Sequence, residues 1–259
     1  GPLMFCGIGV GALLAATLVP MFARTSLSAV WWSLTVLCVM ALWTGWCAAR
    51  QISLHAPVPA SPVASAPAPS ASLWSAAVVL VFIAYACDAF GFVPHTVFWV
   101  DYLDRELHLG AAYASTQWAF FGLGAIAGPL CAAYCATRWG WWGTTTGAYI
   151  VKAVAIGMPL LFASFGAHAV SGFLVGALSP GMAAITSGYL MQLIGPSRHK
   201  KMWGYATAAF ALLQATSGYL MAFIYAQTGS YRQLFVLGCV ALALGAVLVA
   251  SSRLARTAS

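Results

Sequence analysis

The stretch YACDAFGFVPHTVFWVDYLDRELH, Tyr85 to His108, decides the fold. It holds all four acidic residues of the 259-residue chain: Asp88, Asp101, Asp104 and Glu106. Asp88 lies deep inside an apolar run from Ala76 to Val100. A carboxylate in such a run is costly in lipid and is found where protein or water shelters it. Gly91 and Pro94 follow within two turns, where a helix can bend or open. His95 comes seven residues after Asp88, so a continuous helix puts both on one face. The segment reads as the wall of a polar cavity inside a membrane protein.

Composition extends that reading to the whole chain. Hydrophobic residues make up 62% and charged residues 6%, with a mean hydropathy of +0.89. A soluble domain carries about 25% charged residues, so the lipid bilayer is this chain's solvent and partner. The formal charge is +7, but the basic residues are scattered at the ends of apolar runs. That pattern follows the positive-inside rule and gives no nucleic-acid patch. The seven cysteines are odd in number and lie almost entirely within apolar runs. They read as small buried hydrophobes, not as a disulfide framework or a metal site. The chain opens Gly1-Pro2, as a tag scar or a missing N-terminal segment would leave it, and its first apolar run lacks the basic start of a signal peptide.

A helix needs about 20 apolar residues to cross the hydrocarbon core. Runs of that kind predict an all-α polytopic transmembrane bundle of eight spans: Leu3 to Phe22, Ala29 to Ala48, Ser75 to Tyr102, Tyr113 to Thr137, Trp142 to Ala163, Ala167 to Ile194, Trp203 to Tyr225 and Gln233 to Ser251. Spans three and six exceed the needed length, which implies tilt or a break. The organisation is then two helices in residues 1–50, a Pro/Ala/Ser-rich linker in 51–74, a six-helix bundle in 75–252 and a tail in 253–259. Alternate connections collect Lys and Arg unequally, seven on one side (Arg50, Arg138, Arg198, Lys200, Lys201, Arg253, Arg256) and three on the other (Arg24, Arg105, Arg232). The richer side is expected in the cytoplasm with both termini, as in a bacterial inner membrane. Glycine pairs spaced by four, Gly7 and Gly11, Gly124 and Gly128, Gly172 and Gly176, suggest close helix contacts.

Motifs for catalysis are missing from the sequence. There is no phosphate loop, no H-E-x-x-H and no G-x-S-x-G, so the chain does not read as an enzyme and implies no cofactor. Two ionisable groups stand at mid-membrane depth, Asp88 in span three and Lys152 in span five. They are either a substrate or proton site, or a buried ion pair that fixes helix register. His95 is either a pH-sensitive partner of Asp88 or an interfacial histidine. Gln117 and Gln214 are polar residues in apolar runs; Gln214 is the stronger candidate for solute contact, with an interhelical hydrogen bond as the plainer role. His168 is expected at the interface, and Asp101, Asp104, Arg105 and Glu106 at a solvated rim.

The run DAFGFVPHTVFWVDYLDREL (Asp88 to Leu107) resembles the start of the second half of major facilitator superfamily transporters, of the YbfB/YjiJ-type group. WAFFGLGAIAGPL (Trp118 to Leu130), GFLVGALSPGMAAI (Gly172 to Ile185), WGYATAAFALLQATSGY (Trp203 to Tyr219) and GIGVGALLAATLVP (Gly7 to Pro20) agree with it. The resemblance implies that the spans correspond to helices five to twelve of the family's twelve, with the linker between its halves. The first four helices would lie in a missing N-terminal segment. In ATRWG (Ala136 to Gly140), Thr137 stands where the family carries Asp before its Arg. The implied function is secondary active transport of a small organic solute, coupled to protons, by alternating access. A truncated membrane protein that does not transport, or that serves as an assembly partner, is the alternative.

Overall fold

A computed structural model describes residues 3–55 and 73–257. The linker expected in 51–74 lies largely outside the described residues, but 51–55 continue a helix. No strand occurs among the described residues. Backbone groups in lipid must be satisfied within the chain, which leaves helices as the structure open to apolar runs of this length. The chain divides into two units, residues 17–71 and residues 1–16 with 72–259.

The first of these units holds the end of α1 (Leu3–Ala23), a short turn and α2 (Leu27–His55). Ser26 opens α2 by accepting a hydrogen bond from the Ala29 amide at 3.1 Å, which satisfies one of the free donors of the first turn. Trp31, Trp32, Trp43 and Trp46 on α2 are all exposed. A helix so apolar on its outside is suited to lipid.

In the larger unit, span three is broken. Helix α3 (Ala76–Gly91) begins at Ser75, whose side chain accepts from the Val78 amide. Phe92 interrupts it, α4 (Val93–Val97) and α5 (Trp99–Asp101) follow, and a π-helical turn covers Tyr102–Glu106. Pro94 stands at the start of α4, the position where its missing N–H costs least. The helix is thus interrupted near Gly91 and Pro94, where the sequence leads one to expect a bend or an opening, and Phe92 keeps right-handed helical dihedrals.

Helix α6 (Ala111–Leu161) is 51 residues long, and Gly140 at φ 73°, ψ 163° turns the chain within it. No helix passes through that conformation, and glycine reaches it without a Cβ clash. Residues 111–139 and 141–161 thus form two crossings, the fourth and fifth spans. The bundle is completed by α7 (Phe165–Ile194), α8 (Pro196–Thr228) and α9 (Arg232–Thr257). α8 begins two turns before the expected span, so His199 is helical and shares a 3.0 Å hydrogen bond with Ser187. Among the described residues, seven helices are long and apolar enough to cross a membrane, with α6 counted once.

Packing follows the small residues. α7 lies along α6, α9 against α3 and α6, and α8 against α3 and α7. A Cβ on Gly124, Gly128 or Gly176 would run into the backbone of Phe173, Ala177 or Phe121 respectively. Gly7 and Gly11 face open space; it is Gly9 that meets the backbone of Gly122 and Ile126. Trp99, Tyr102, Tyr149, Tyr189 and Phe235 fill the interior.

The helices alternate in direction, so one end of this unit carries Glu106, Ser164 and Tyr231 and the other Gly140 and Gly195. Arg138, Arg198, Lys200, Lys201 and Arg253 gather toward the Gly140 end. There the Arg253 guanidinium covers the Trp142 ring at 4.8 Å, and the Trp142 indole donates to the Val249 carbonyl at 3.1 Å. At the opposite end Glu106 is no solvated rim residue. Its carboxylate accepts from the Ser230 hydroxyl at 2.9 Å and from the Tyr231 amide, closing the start of α9 from a distant segment. Burial, then the Tyr225 hydroxyl and Asp101, push the Tyr231 phenol above its ordinary pKa. Arg232 donates to the Leu160 carbonyl at 3.1 Å. Asp101 and Arg105 do form an exposed pair at 3.3 Å, of the kind worth at most about 1 kcal/mol. Glu106→Ala is expected to cost about 0.5–2 kcal/mol, the range for losing a helix cap. It should lower the unfolding temperature in detergent, while Asp104→Ala leaves it in place.

Candidate functional site

The two charges that the apolar runs single out meet in the bundle. Lys152 Nζ, on the second half of α6, donates to Asp88 Oδ1 on α3 at 2.6 Å. Both side chains are 1% exposed. Two opposite charges so placed attract strongly, because little water screens them, yet each loses its hydration. The pair is stable only while both members are present. Lys152 Nζ also lies 5.1 Å from the centre of the Phe92 ring, a further partner for the cation.

The pair is incompletely satisfied. Asp88 Oδ2 is buried without a hydrogen-bond partner, and so is the hydroxyl of Tyr149, one turn before Lys152 on α6. A carboxylate accepts at both oxygens, so Asp88 keeps a free acceptor inside the protein. A proton, a water or a polar group of a solute can occupy it.

His95 is fully buried within the bundle, one turn beyond Phe92. Its Nε2 stands 2.8 Å from Ser171 Oγ, and Ser171 donates to the Ala155 carbonyl at 2.7 Å. The serine proton is thereby used, so His95 Nε2 carries the hydrogen and Nδ1 is a bare acceptor. Ala155 is one turn from Lys152, which places the His95–Ser171 contact next in line after the ion pair. Seven residues of helix separate Asp88 from His95, about 10 Å along the axis.

Gln117 is fully buried on the first half of α6, and the Tyr113 hydroxyl one turn earlier is within its reach, though no hydrogen bond of good geometry forms to its amide. His168, in the first turn of α7, is also fully buried against the protein, and its Nδ1 meets the Tyr113 hydroxyl at 2.8 Å. Gln214 lies apart, on an exposed part of α8. The structure therefore brings Asp88 and Lys152 together, sets His95 two turns along from Asp88, and leaves Gln214 outside this group. Sequence reasoning missed Tyr149, Ser171 and Trp99. Tyr and Trp in apolar runs look like core or belt residues, and one serine among many carries no signal. The spacing of Tyr149 and Ala155 around Lys152, one turn each way, could have pointed to them.

Among the described residues no cluster of histidine, cysteine or acidic side chains could hold a metal ion. The apolar grooves lie elsewhere. One of about 640 Å³ between the second half of α6 and α9 is lined by Ile150, Val154 and Val247, and carries no charge.

A family profile described as "Uncharacterised MFS-type transporter YbfB" matches residues 1–250. A comparison with curated proteins finds no match.

Proposed function

The chain belongs to the YbfB-type major facilitator transporter family, and from that premise we propose that it is a secondary active transporter of a small organic solute, coupled to protons through Asp88 and Lys152. The observation that carries this reading is the free oxygen of Asp88 beside a lysine within the bundle. Protonation of Asp88 removes one charge of the pair and releases Lys152. Deprotonation restores the attraction. Two protonation states thus favour two arrangements of the bundle in which α3 and the second half of α6 are tied or released, which is the kind of bistable element that alternating access requires. His95 is the neighbouring group through which the pair senses the interior, and Gln117 lines the same half of the bundle. Gln214 contacts solute: an amide on an otherwise apolar membrane helix needs polar company. No bond-breaking step is assigned to any residue.

The orientation follows from charge. Arg138, Arg198, Lys200, Lys201 and Arg253 make the Gly140 end the cytoplasmic one, with both termini on that side of a bacterial inner membrane. Reconstituted in vesicles, the chain is expected to concentrate at least one labelled solute from a panel of sugars, amino acids and organic acids when a pH gradient is imposed. Collapsing the gradient with a protonophore should abolish that accumulation. Equal uptake of the solute with and without the gradient would remove proton coupling. No uptake across the panel would favour the alternative of a non-transporting partner.

A further inference from the structure

The half of the bundle toward Glu106 contains a concentration of buried polar atoms without partners: Nδ1 of His95, Nε1 of Trp99, Nε2 and Oε1 of Gln117, and Nε2 of His168. All four side chains are 0–1% exposed. They belong to one place. His95 stacks on Trp99 with ring centres 4.5 Å apart, and Trp99 meets His168 edge-on at 5.7 Å. A Cβ built on Gly172 would lie 3.2 Å from the Gln117 carbonyl and 3.9 Å from Trp99 Nε1. α5, α6 and α7 therefore meet closely at Gly172, with the indole nitrogen of Trp99 at the contact.

A buried donor or acceptor without a partner has lost its hydration and gained nothing in return, and several gathered at one place call for a common partner. Protein interiors meet such groups with ordered water, which needs a polar lining and two to four partners. This lining provides both. The indole donates, His95 Nδ1 accepts, and Gln117 does each. The occupant therefore both donates and accepts, and it is small. The charged and titratable groups around His95 are the Asp88–Lys152 pair on the inner side and His168 with Tyr113 toward the helix ends, so the lining itself holds no fixed charge.

We propose that Trp99, Gln117, His168 and His95 enclose a chamber of ordered water that joins the Glu106 end of the bundle to the Asp88–Lys152 pair. Tyr113 and His168 stand in the first turns of α6 and α7, at the outer edge of the chamber. Gln117 and Trp99 stand next, and His95 borders the pair. The water itself follows from the unpaired atoms. Its service as the route of the coupling proton rests on the reading of Asp88 and Lys152 given above.

X-ray radiolytic labelling tests the chamber directly, since hydroxyl radicals form from water in place and mark the side chains they touch. The chain in lipid nanodiscs is mixed rapidly with ¹⁸O water and irradiated. Trp99 and His168 should take up ¹⁸O, roughly ten-fold more than Met182 and Met221, which are readily oxidised but lie in dry core. Gln117→Leu removes two polar contacts, and Gly172→Ala sets a methyl beside Trp99 Nε1 and against the Gln117 main-chain carbonyl. Each should cut Trp99 labelling several-fold, with Gln117→Leu as the milder test of folding. Trp99 as silent as Met182 in the native chain would overturn the chamber. Trp99 carrying only ¹⁶O after mixing would overturn its connection to bulk water. Asp88→Asn should leave the labelling unchanged, so a failure of the coupling pair in transport is read separately from a failure of the chamber.

Discussion

Lys152→Ala should be more damaging than Asp88→Asn, and the double variant should fold better than either. The alanine variant leaves a carboxylate in the interior with no counter-charge, since Lys152 is the partner bonded to Asp88 at 2.6 Å. Breaking a buried pair on one side costs about 3–5 kcal/mol, which is much of the stability of an ordinary domain. Asn at position 88 loses the charge but keeps an oxygen that can accept from Lys152. The lysine then remains buried beside a neutral amide and the Phe92 ring, a smaller penalty. Asp88→Asn with Lys152→Met removes both charges at nearly constant volume, and such replacements are often neutral or stabilising. Unfolding temperatures in detergent should therefore rank native and double variant together, Asp88→Asn below them and Lys152→Ala lowest. Transport driven by a pH gradient should be lost in all three, because none retains an ionisable carboxyl paired with an ammonium. A double variant that folds and still concentrates solute in response to the gradient would reduce the pair to a device for helix register.

The chemistry of this pair was legible because lipid makes charge rare. With four acidic residues in the chain and one of them inside an apolar run, Asp88 had few partners at its depth, and Lys152 was the basic one. The eight crossings were legible for the same reason: an apolar run of about 20 residues has one economical conformation in a bilayer. The turn between the fourth and fifth spans is carried by the non-helical backbone of Gly140, so the division that the sequence shows is made at a single residue. What stayed hidden depends on rotation about helix axes. His168 near a helix start could face water or the interior with the same sequence, and only the packing of α7 on α6 turns it inward to Tyr113. Glu106 among Asp101, Asp104 and Arg105 looked like one more rim charge, and its partners at Ser230 and Tyr231 are more than a hundred residues away. Gln214 stood out by composition, yet α8 turns it to an exposed side. A polar residue in an apolar run signals that it needs company, but not which company it finds.

Gly128→Ala should cripple the bundle, while Gly147→Ala, one methyl added to the same helix, should not. At position 128 the new methyl would occupy the place of the Ala177 carbonyl, a backbone atom that cannot rotate aside. At position 147 nothing lies within 4 Å, and alanine favours a helix over glycine by about 1 kcal/mol. The cost at 128 is a forced separation of α6 from α7. Overpacking of a tight contact typically costs about 1–3 kcal/mol, occasionally more, and here the displaced partner is main chain. Separation would also carry Gly124 and Gly176 away from Phe173 and Phe121, since all three glycines sit on one seam. In lipid no hydrophobic effect drives those helices back together; close packing is what holds them. The two variants should therefore diverge when the fraction of monodisperse protein is followed against temperature in detergent. Gly147→Ala should match or exceed the native chain, and Gly128→Ala should be lost at a clearly lower temperature. Coincident curves would mean that the seam between α6 and α7 yields freely. In that case the placement of Gln117 and Gly172 along the same seam would lose its rigidity, and the chamber they border its definition.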